Sequence, residues 1–561
     1  MADRAMALLR RLERLKDIFG SVAAEQRLVL LRQLERRRLG SAGSVLRLHE
    51  ALCFARAYPD DAAVLAQVER MLDAFDTRGD LKRRRAQLED SGIAGTAINY
   101  AFYWFTAEWL ARRWPDQLSV DWEAFENAER LPELLHLLLP YTETLTIDEL
   151  DYEPDEWIRQ LKGPNESDAA FLVRRFAALQ ADAFGREESF EALDVPLRIA
   201  PGADTPSRTR AKYPGVPVSY QTAPLRSGRP DLRREMVRPP LAVRAVSRRE
   251  GCRLIALARE AMVTRSRDLD IFVHADEQDA RLVDCGEGLQ FACFGAVPQR
   301  RLMLDAVYGF LTLKNGVPIG YVLISALFNS AEVAYNVFET YRGGESAYIY
   351  GRVLAATRHL FDADTITVPP YQLGHDNLEG LESGAWWFYY KLGFRPHDVA
   401  VRRLLRRELA RIKRNPRHRS SIATLNELSS ANMYLYLGRP RADVRGRIEL
   451  GAVGSRVSRY LADRFGADRE RGVRTCSEEA AELLGVRSLR GFTAGQRLWW
   501  ERWSPMIMAL PGVTRWGVGD RRDLVEVVRA KGGSRESEFV TRFDRHRRLR
   551  RAVLALAENG A

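Results

Sequence analysis

Cysteine is scarce in this chain: Cys53, Cys252, Cys285, Cys293 and Cys476 are the five among 561 residues. None forms a C-x-x-C pair, which argues against a structural zinc site and a disulfide framework and suits a reducing cytoplasm. No metal site is expected. Long hydrophobic runs are also missing. The most apolar stretch, INYAFYWFTAEWLARRW from Ile98, contains Glu108 and runs into Arg112 and Arg113, so no membrane span is expected. That segment reads as a buried amphipathic helix. The first twenty residues, MADRAMALLRRLERLKDIFG, carry arginines at helical spacing and no apolar core, which argues against a cleaved secretory signal. There is no internal repeat.

Apolar residues make up 46% of the chain, enough for a sizeable core. A length of 561 residues suits about three or four domains. The net charge of +11 fits an acidic partner such as RNA, an anionic membrane face or a phosphorylated cofactor. The excess is almost all arginine, which a GC-rich genome would produce without any partner.

Residues 1–190 read as helical, because QRLVLLRQLERRRLG and AAVLAQVERMLDAFDTRG repeat apolar residues at three-to-four spacing and stop at glycine. Residues 191–240 read as an extended connection: nine of the 24 prolines fall between Pro196 and Pro240. From Leu241 the period changes. LAVRAVS reads as a strand, and Ser247 with Glu250 as a capping box opening RREGCRLIALAREAM. LQFACFG and DAVYGFLTL read as strands, Asn315-Gly316 as a hairpin turn, and VPIGYVLIS and AEVAYNVFETY as further strands. The helix SAYIYGRVLAATRHLF, the strand TITVPPYQL and the helix EGLESGAWWFYYKLG complete a domain at 241–400. The strand ending at Thr340 and the strand Thr365–Leu373 are expected to be parallel neighbours joined by the intervening helix. Residues 401–561 read as basic and mostly helical.

Between strand and helix stands Arg342-Gly343-Gly344-Glu345-Ser346-Ala347. The free N–H groups and positive dipole end of a helix start converge on one point, glycines let the backbone approach a ligand, and Arg342 adds charge-assisted contacts to phosphate. This loop, the elements around it and the later FYYKLGF resemble the GNAT superfamily of N-acyltransferases over roughly residues 241–400. The resemblance implies an α/β fold with a mixed twisted sheet and helices on both faces, flanked by helical N- and C-terminal regions. Arg342 and Ala347 match the ends of that family's acyl-CoA loop, Q/R-x-x-G-x-G/A, while Glu345 stands where the family has glycine. Tyr389, Gly393 and Phe394 match its Y-x-x-x-G-F, which implies Tyr389 as the general acid that reprotonates the departing CoA thiolate. Tyr390 takes that role if the register differs by one. Asn377 matches an asparagine often found before this helix.

An amine attacking a thioester also needs a base. Glu339, at the end of the row Val333, Tyr335, Val337, is the first candidate, and its alternative is a solvated strand-end carboxylate. His375 is the second. The aromatic run from Trp386 to Tyr390, and Trp499, Trp500 and Trp503, read chiefly as core. The basic segment Arg402–Arg419 alternates arginines with Leu404, Leu405, Leu409 and Ile412, so one face packs and the other is charged, either a solvated face or a surface for RNA or an acidic protein. The expected function is acyl transfer, most simply of an acetyl group, from acyl-CoA to an amine in the cytoplasm. The alternatives are a catalytically inactive scaffold of the same shape that binds RNA or protein, and a transferase using aminoacyl-tRNA.

Overall fold

The computed structural model describes residues 2–558 and divides into two compact units. Of the described residues, the first comprises those up to 224 with 253–273 and 314–318, and the second 225–252, 274–313 and those from 319 on. The expected connection at 191–240 is therefore split at Pro224.

In the first unit, helices are opened by side chains that satisfy orphan N–H groups. Ser41, Asp61, Ser167 and Asp182 each accept a hydrogen bond from the backbone three residues on. A small antiparallel sheet, absent from the sequence reading, joins β1 (Ile98–Ala101), β2 (Leu118–Val120) and β3 (Pro196–Ile199) in the order β1-β3-β2. The segment from Ile98 is thus a strand followed by a helix, Trp104–Arg113, rather than one helix. Asp90 holds the amide of Asn99 at 2.6 Å, and pairing with Leu197 and Ile199 outweighs the helical spacing of the apolar residues. Trp104, Trp114, Phe176 and Phe190 are central to the core beside this sheet. Asn315 and Gly316 have φ values of 50° and 77°, the signature of a type I′ turn. Asn315 Nδ2 donates to the carbonyls of Ala57 and Ser219 at 2.8 and 3.0 Å.

The second unit is built on a nine-stranded mixed sheet. Its strands are β4 (Ala242–Ala245), β5 (Ala275–Gly286), β6 (Leu289–Ala296), β7 (Ala306–Lys314), β8 (Val317–Leu327), β9 (Ser330–Val337), β10 (Thr365–Val368), β11 (Arg395–Pro396) and β12 (Met433–Tyr436). They lie in the order β11-β12-β10-β9-β8-β7-β6-β5-β4. Its helices include α1 (Leu232–Val237), α2 (Arg248–Val263, which ends in the first unit), α3 (Ser346–Phe361), α4 (Leu378–Ser383), α5 (Ala385–Lys391) and α6 (Val399–Arg414). Ser247 Oγ accepts from the Glu250 amide at 3.2 Å, as expected of a cap, while the Glu250 carboxylate holds Arg244 at 2.7 and 2.9 Å.

The expected parallel pair is present: β9 and β10 run parallel with Thr365 opposite Ser330, and α3 is their crossover. That register ends at Glu332 and Thr367, whereas β9 runs on to Val337. The strand expected to reach Leu373 stops at Val368, because Pro369 and Pro370 cannot donate to a ladder; Pro370–Leu373 is a short helix. A wedge therefore opens beside the last turn of β9. The single helix expected over 379–393 is also broken. Gly384 takes φ 68° between α4 and α5, which suits a residue without Cβ.

On β8, Gly320 lies so close to β9 that a Cβ would stand 2.3 Å from the carbonyl oxygen of Asn336. Beyond α6 the unit is helical apart from β12, a strand that the basic, helical reading of residues 401–561 did not contain. Trp499, Trp500 and Trp503 are fully buried there, with Trp499 and Trp503 donating to the carbonyls of Pro298 and Met303 at 2.8 Å each. Lys531 and Glu536 form a fully buried ion pair at 2.5 Å.

Candidate functional site

The wedge beside β9 is a cavity of about 490 Å³. The chain reaches it from β9 through a 3₁₀ turn, Glu339–Tyr341, and then through Arg342, Gly343 and Gly344. Gly343 takes φ +108°, a conformation other residues rarely adopt. A Cβ on Gly344 would stand 2.8 Å from the Leu225 side chain. Glu345 is the N-cap of α3 but makes no side-chain cap, so the first-turn amides of α3, including that of Ala347, are left without one. Ser346 and Ala347 line the cavity with Arg342, Gly343 and Gly344. Glu345 does not line it and is 5% exposed, so its side chain is turned into the protein.

The far wall comes from β9, α4, α5 and the turn before them. Asn377 lines the cavity while capping α4: its Oδ1 accepts from the Gly380 amide at 3.1 Å and its Nδ2 donates to the Tyr371 carbonyl at 3.0 Å. Tyr389 also lines it, 2% exposed, with its hydroxyl 3.0 Å from Gln372 Nε2. Gln372 uses the same nitrogen to reach the carbonyl of Tyr335 at 2.7 Å, and so bridges β9 across the wedge. Burial pushes the Tyr389 phenol well above its ordinary range, partly offset by the Gln372 hydrogen bond, so it stays protonated at neutral pH. The rings of Tyr350 and Phe394 pack edge-on against it at 5.5 and 5.6 Å.

Other expected residues lie elsewhere. Tyr390 does not line the cavity; it stacks on Trp386, with ring centroids 5.4 Å apart, and carries Arg395 at 4.2 Å on its ring. Glu339 is exposed and sits in the 3₁₀ turn, off the strand face that Val333 and Tyr335 share. The strand ends at Val337, so the period-two row does not extend to it. His375 turns away from the cavity, with Nδ1 3.3 Å from the Asn426 carbonyl. Neither expected base is at the site.

The structure adds residues that sequence reasoning missed. Glu379 contributes a carboxylate to the lining and is ion-paired with Arg342, whose Nε also donates to the Val337 carbonyl at 3.2 Å. Asn336 lines the cavity with a buried Oδ1 that has no hydrogen-bond partner among the described residues. Ser227, Gly228 and Arg229, from the expected connection, form part of the wall. The only available signal for them was the proline-rich composition, which says where the chain is extended but not what it covers.

Away from the cavity, α6 packs Leu404 and Leu405 inward and exposes Arg402, Arg403, Arg406, Arg407 and Arg414. Its one carboxylate, Glu408, is buried. Burial alone would raise its pKa, but hydrogen bonds from Ser420, His418 and Arg411 hold it below the usual range. Among the described residues, no group of His, Cys, Asp and Glu is placed to hold a metal ion, and no helix is long and apolar enough to cross a membrane. Comparison of the chain with protein-family models, curated proteins and solved structures found no match.

Proposed function

We propose that the cavity beside β9 binds an acyl-CoA and that the chain is an N-acyltransferase, with acetyl-CoA the simplest donor. The observation that carries this reading is a coincidence of place: the Arg342–Ala347 loop and Tyr389, far apart in sequence, line one cavity. The other lining groups suit such a donor. Amides at the start of α3, which have no side-chain cap, are donors suited to phosphate oxygens. The orphaned Oδ1 of Asn336 suits an N–H donor such as a pantetheine amide.

In the reaction, the amine nitrogen attacks the thioester carbonyl, the C–S bond breaks and the acyl group passes to nitrogen. Tyr389 gives its proton to the leaving thiolate, and the amine loses one to a base. Glu379, the carboxylate among the described cavity-lining residues, is held by Arg342, so water is the acceptor. The acceptor amine is not specified by this wall, since the same fold and chemistry serve many amines.

The test is release of free thiol from acetyl-CoA by the whole chain in the presence of a panel of small amines, peptides and aminoacyl compounds. Thiol release dependent on one amine class supports the reading. Tight acetyl-CoA binding with no turnover of any acceptor favours the catalytically inactive scaffold, and transfer from aminoacyl-tRNA alone favours the third reading.

A second surface supports a polyanionic partner, RNA in our reading. Arg402, Arg403, Arg406, Arg407 and Arg414 of α6 are exposed and make no ion pair among the described residues, whereas Arg411 is held by Glu408 at 2.8 Å. A run of unpaired guanidinium groups on one helix is what phosphate contacts require.

A further inference from the structure

Residues 225–240 form a strap whose two ends are fixed to the second unit. At the first end, Leu225 packs against Gly344, while Arg226 pairs with Glu287 and lies 4.3 Å from the centre of the Tyr348 ring. At the other end, α1 is capped by Asp231 and lies against α3 at Gly351, where a Cβ would stand 3.2 Å from Glu235. Arg352, 1% exposed, donates to the carbonyls of Arg238 and Pro239 at 3.0 Å each. Between these anchors, Ser227, Gly228 and Arg229 line the cavity. Pro230 disfavours helical backbone at Arg229, which keeps this stretch of the strap extended.

The two arginines of the lining are in opposite states. Arg342 has its charge offset by Glu379. Arg229 is exposed and makes no hydrogen bond or ion pair among the described residues. An uncompensated guanidinium in the same cavity lining as a second guanidinium that the protein has already supplied with a carboxylate is an arrangement suited to an oxyanion. We propose that Arg229 is a phosphate-binding residue of this site, and that Glu379 occupies Arg342 until a phosphate displaces it. The proposal rests on the acyl-CoA reading and extends it: the strap would select nucleotide-bearing thioesters over bare pantetheine thioesters.

The experiment is a calorimetric titration of the whole chain with acetyl-CoA and with S-acetylpantetheine, which lacks the nucleotide phosphates. Arg229→Ala should weaken acetyl-CoA binding by about 10- to 100-fold, the usual worth of a hydrogen-bonded charge, and leave S-acetylpantetheine unchanged. Arg229→Lys should recover part of the loss, and Glu379→Gln should tighten acetyl-CoA binding. Because the Arg229 side chain holds nothing else, both Arg229 variants should melt with the wild type. If wild type binds acetyl-CoA and Arg229→Ala binds it equally well, or if that variant loses both ligands in proportion, the Arg229 role is overturned while the acyl-CoA reading stands. Glu379→Gln weakening acetyl-CoA would overturn the displacement step. If wild type binds neither ligand, both readings fall together.

Discussion

Removing one oxygen, with Tyr389→Phe, separates folding from chemistry at this site. The ring is 2% exposed and packs on Tyr350, Phe388 and Phe394, and phenylalanine keeps those contacts. Among the described residues the hydroxyl's partner is Gln372 Nε2 at 3.0 Å, which retains its 2.7 Å bond to the Tyr335 carbonyl. The stability cost should therefore be that of one neutral hydrogen bond, about 0.5–1.5 kcal/mol. Turnover should drop by roughly 10²–10⁴-fold, the usual worth of a positioned general acid. Acetyl-CoA affinity should change little. Free-thiol release, calorimetric binding and thermal melting on one preparation give the three readings. Two matched controls bracket the result. Tyr390→Phe should keep wild-type turnover, because that ring stacks on Trp386 outside the cavity, and Glu339→Gln should do the same from its exposed turn. Full turnover in Tyr389→Phe, with loss in either control, would refute the assignment of the acid.

Three further outcomes are expected. Burial pushes the Asp268 carboxyl up to about 7, against opposing hydrogen bonds from Thr106 and the Tyr103 amide. The neutral form is favoured on folding, so its contribution is complete below the unfolded value near 4 and is lost as pH rises through about 7, on the order of 4 kcal/mol in all. Asp268→Asn should flatten the stability profile over that window in urea melts at stepped pH, and an unchanged slope would discount the burial. Lys531→Met should cost about 3–5 kcal/mol by leaving Glu536 buried beside Asp279, with Arg301 as its remaining cation among the described residues at 4.0 Å, whereas Lys531→Met with Glu536→Leu should recover most of that in chemical unfolding. Binding of single-stranded RNA should fall steeply with salt; Arg406→Ala with Arg407→Ala should lower the log–log salt slope by roughly 1.4, for all sequences alike. Salt-insensitive binding, or none at low ionic strength, would return α6 to a solvated face.

Much of the second unit was legible because its signals are local. The alternation in β8 and β9 and the glycines of the Arg342–Ala347 loop each follow from backbone conformation, and the parallel β9–β10 pair follows from the handed crossover through α3; the Asn315-Gly316 turn, in the first unit, was legible for the same reason. What failed was non-local. The β1 strand looked helical until its partner, about a hundred residues later, was brought alongside it. β12 is a short apolar run within a helical, basic region, and only its pairing with β10 and β11 identifies it.

The candidate site divides along the same line. Loop and tyrosine were readable as motifs, whereas Glu339 was counted on a strand that had already ended at Val337. Arg229, Asn336, Gln372 and Glu379 carry no motif. They matter through where Pro369, Gly384 and the strap anchors put the chain. Glu345, which departs from the acyl-CoA loop pattern, is accommodated by turning its side chain away from the cavity.

Calorimetric titration of the whole chain with acetyl-CoA, run beside Gly343→Val, is the most direct measurement of whether this cavity is an acyl-CoA site. The account predicts one binding site in the wild type, with a dissociation constant in the range of about 1 μM to 1 mM typical of enzyme substrates. It predicts at least a tenfold loss in the variant, whose side chain is strained at φ +108° in the loop proposed to meet the phosphates. No binding heat in the wild type at any temperature tried, or equal affinity in the variant, would contradict it.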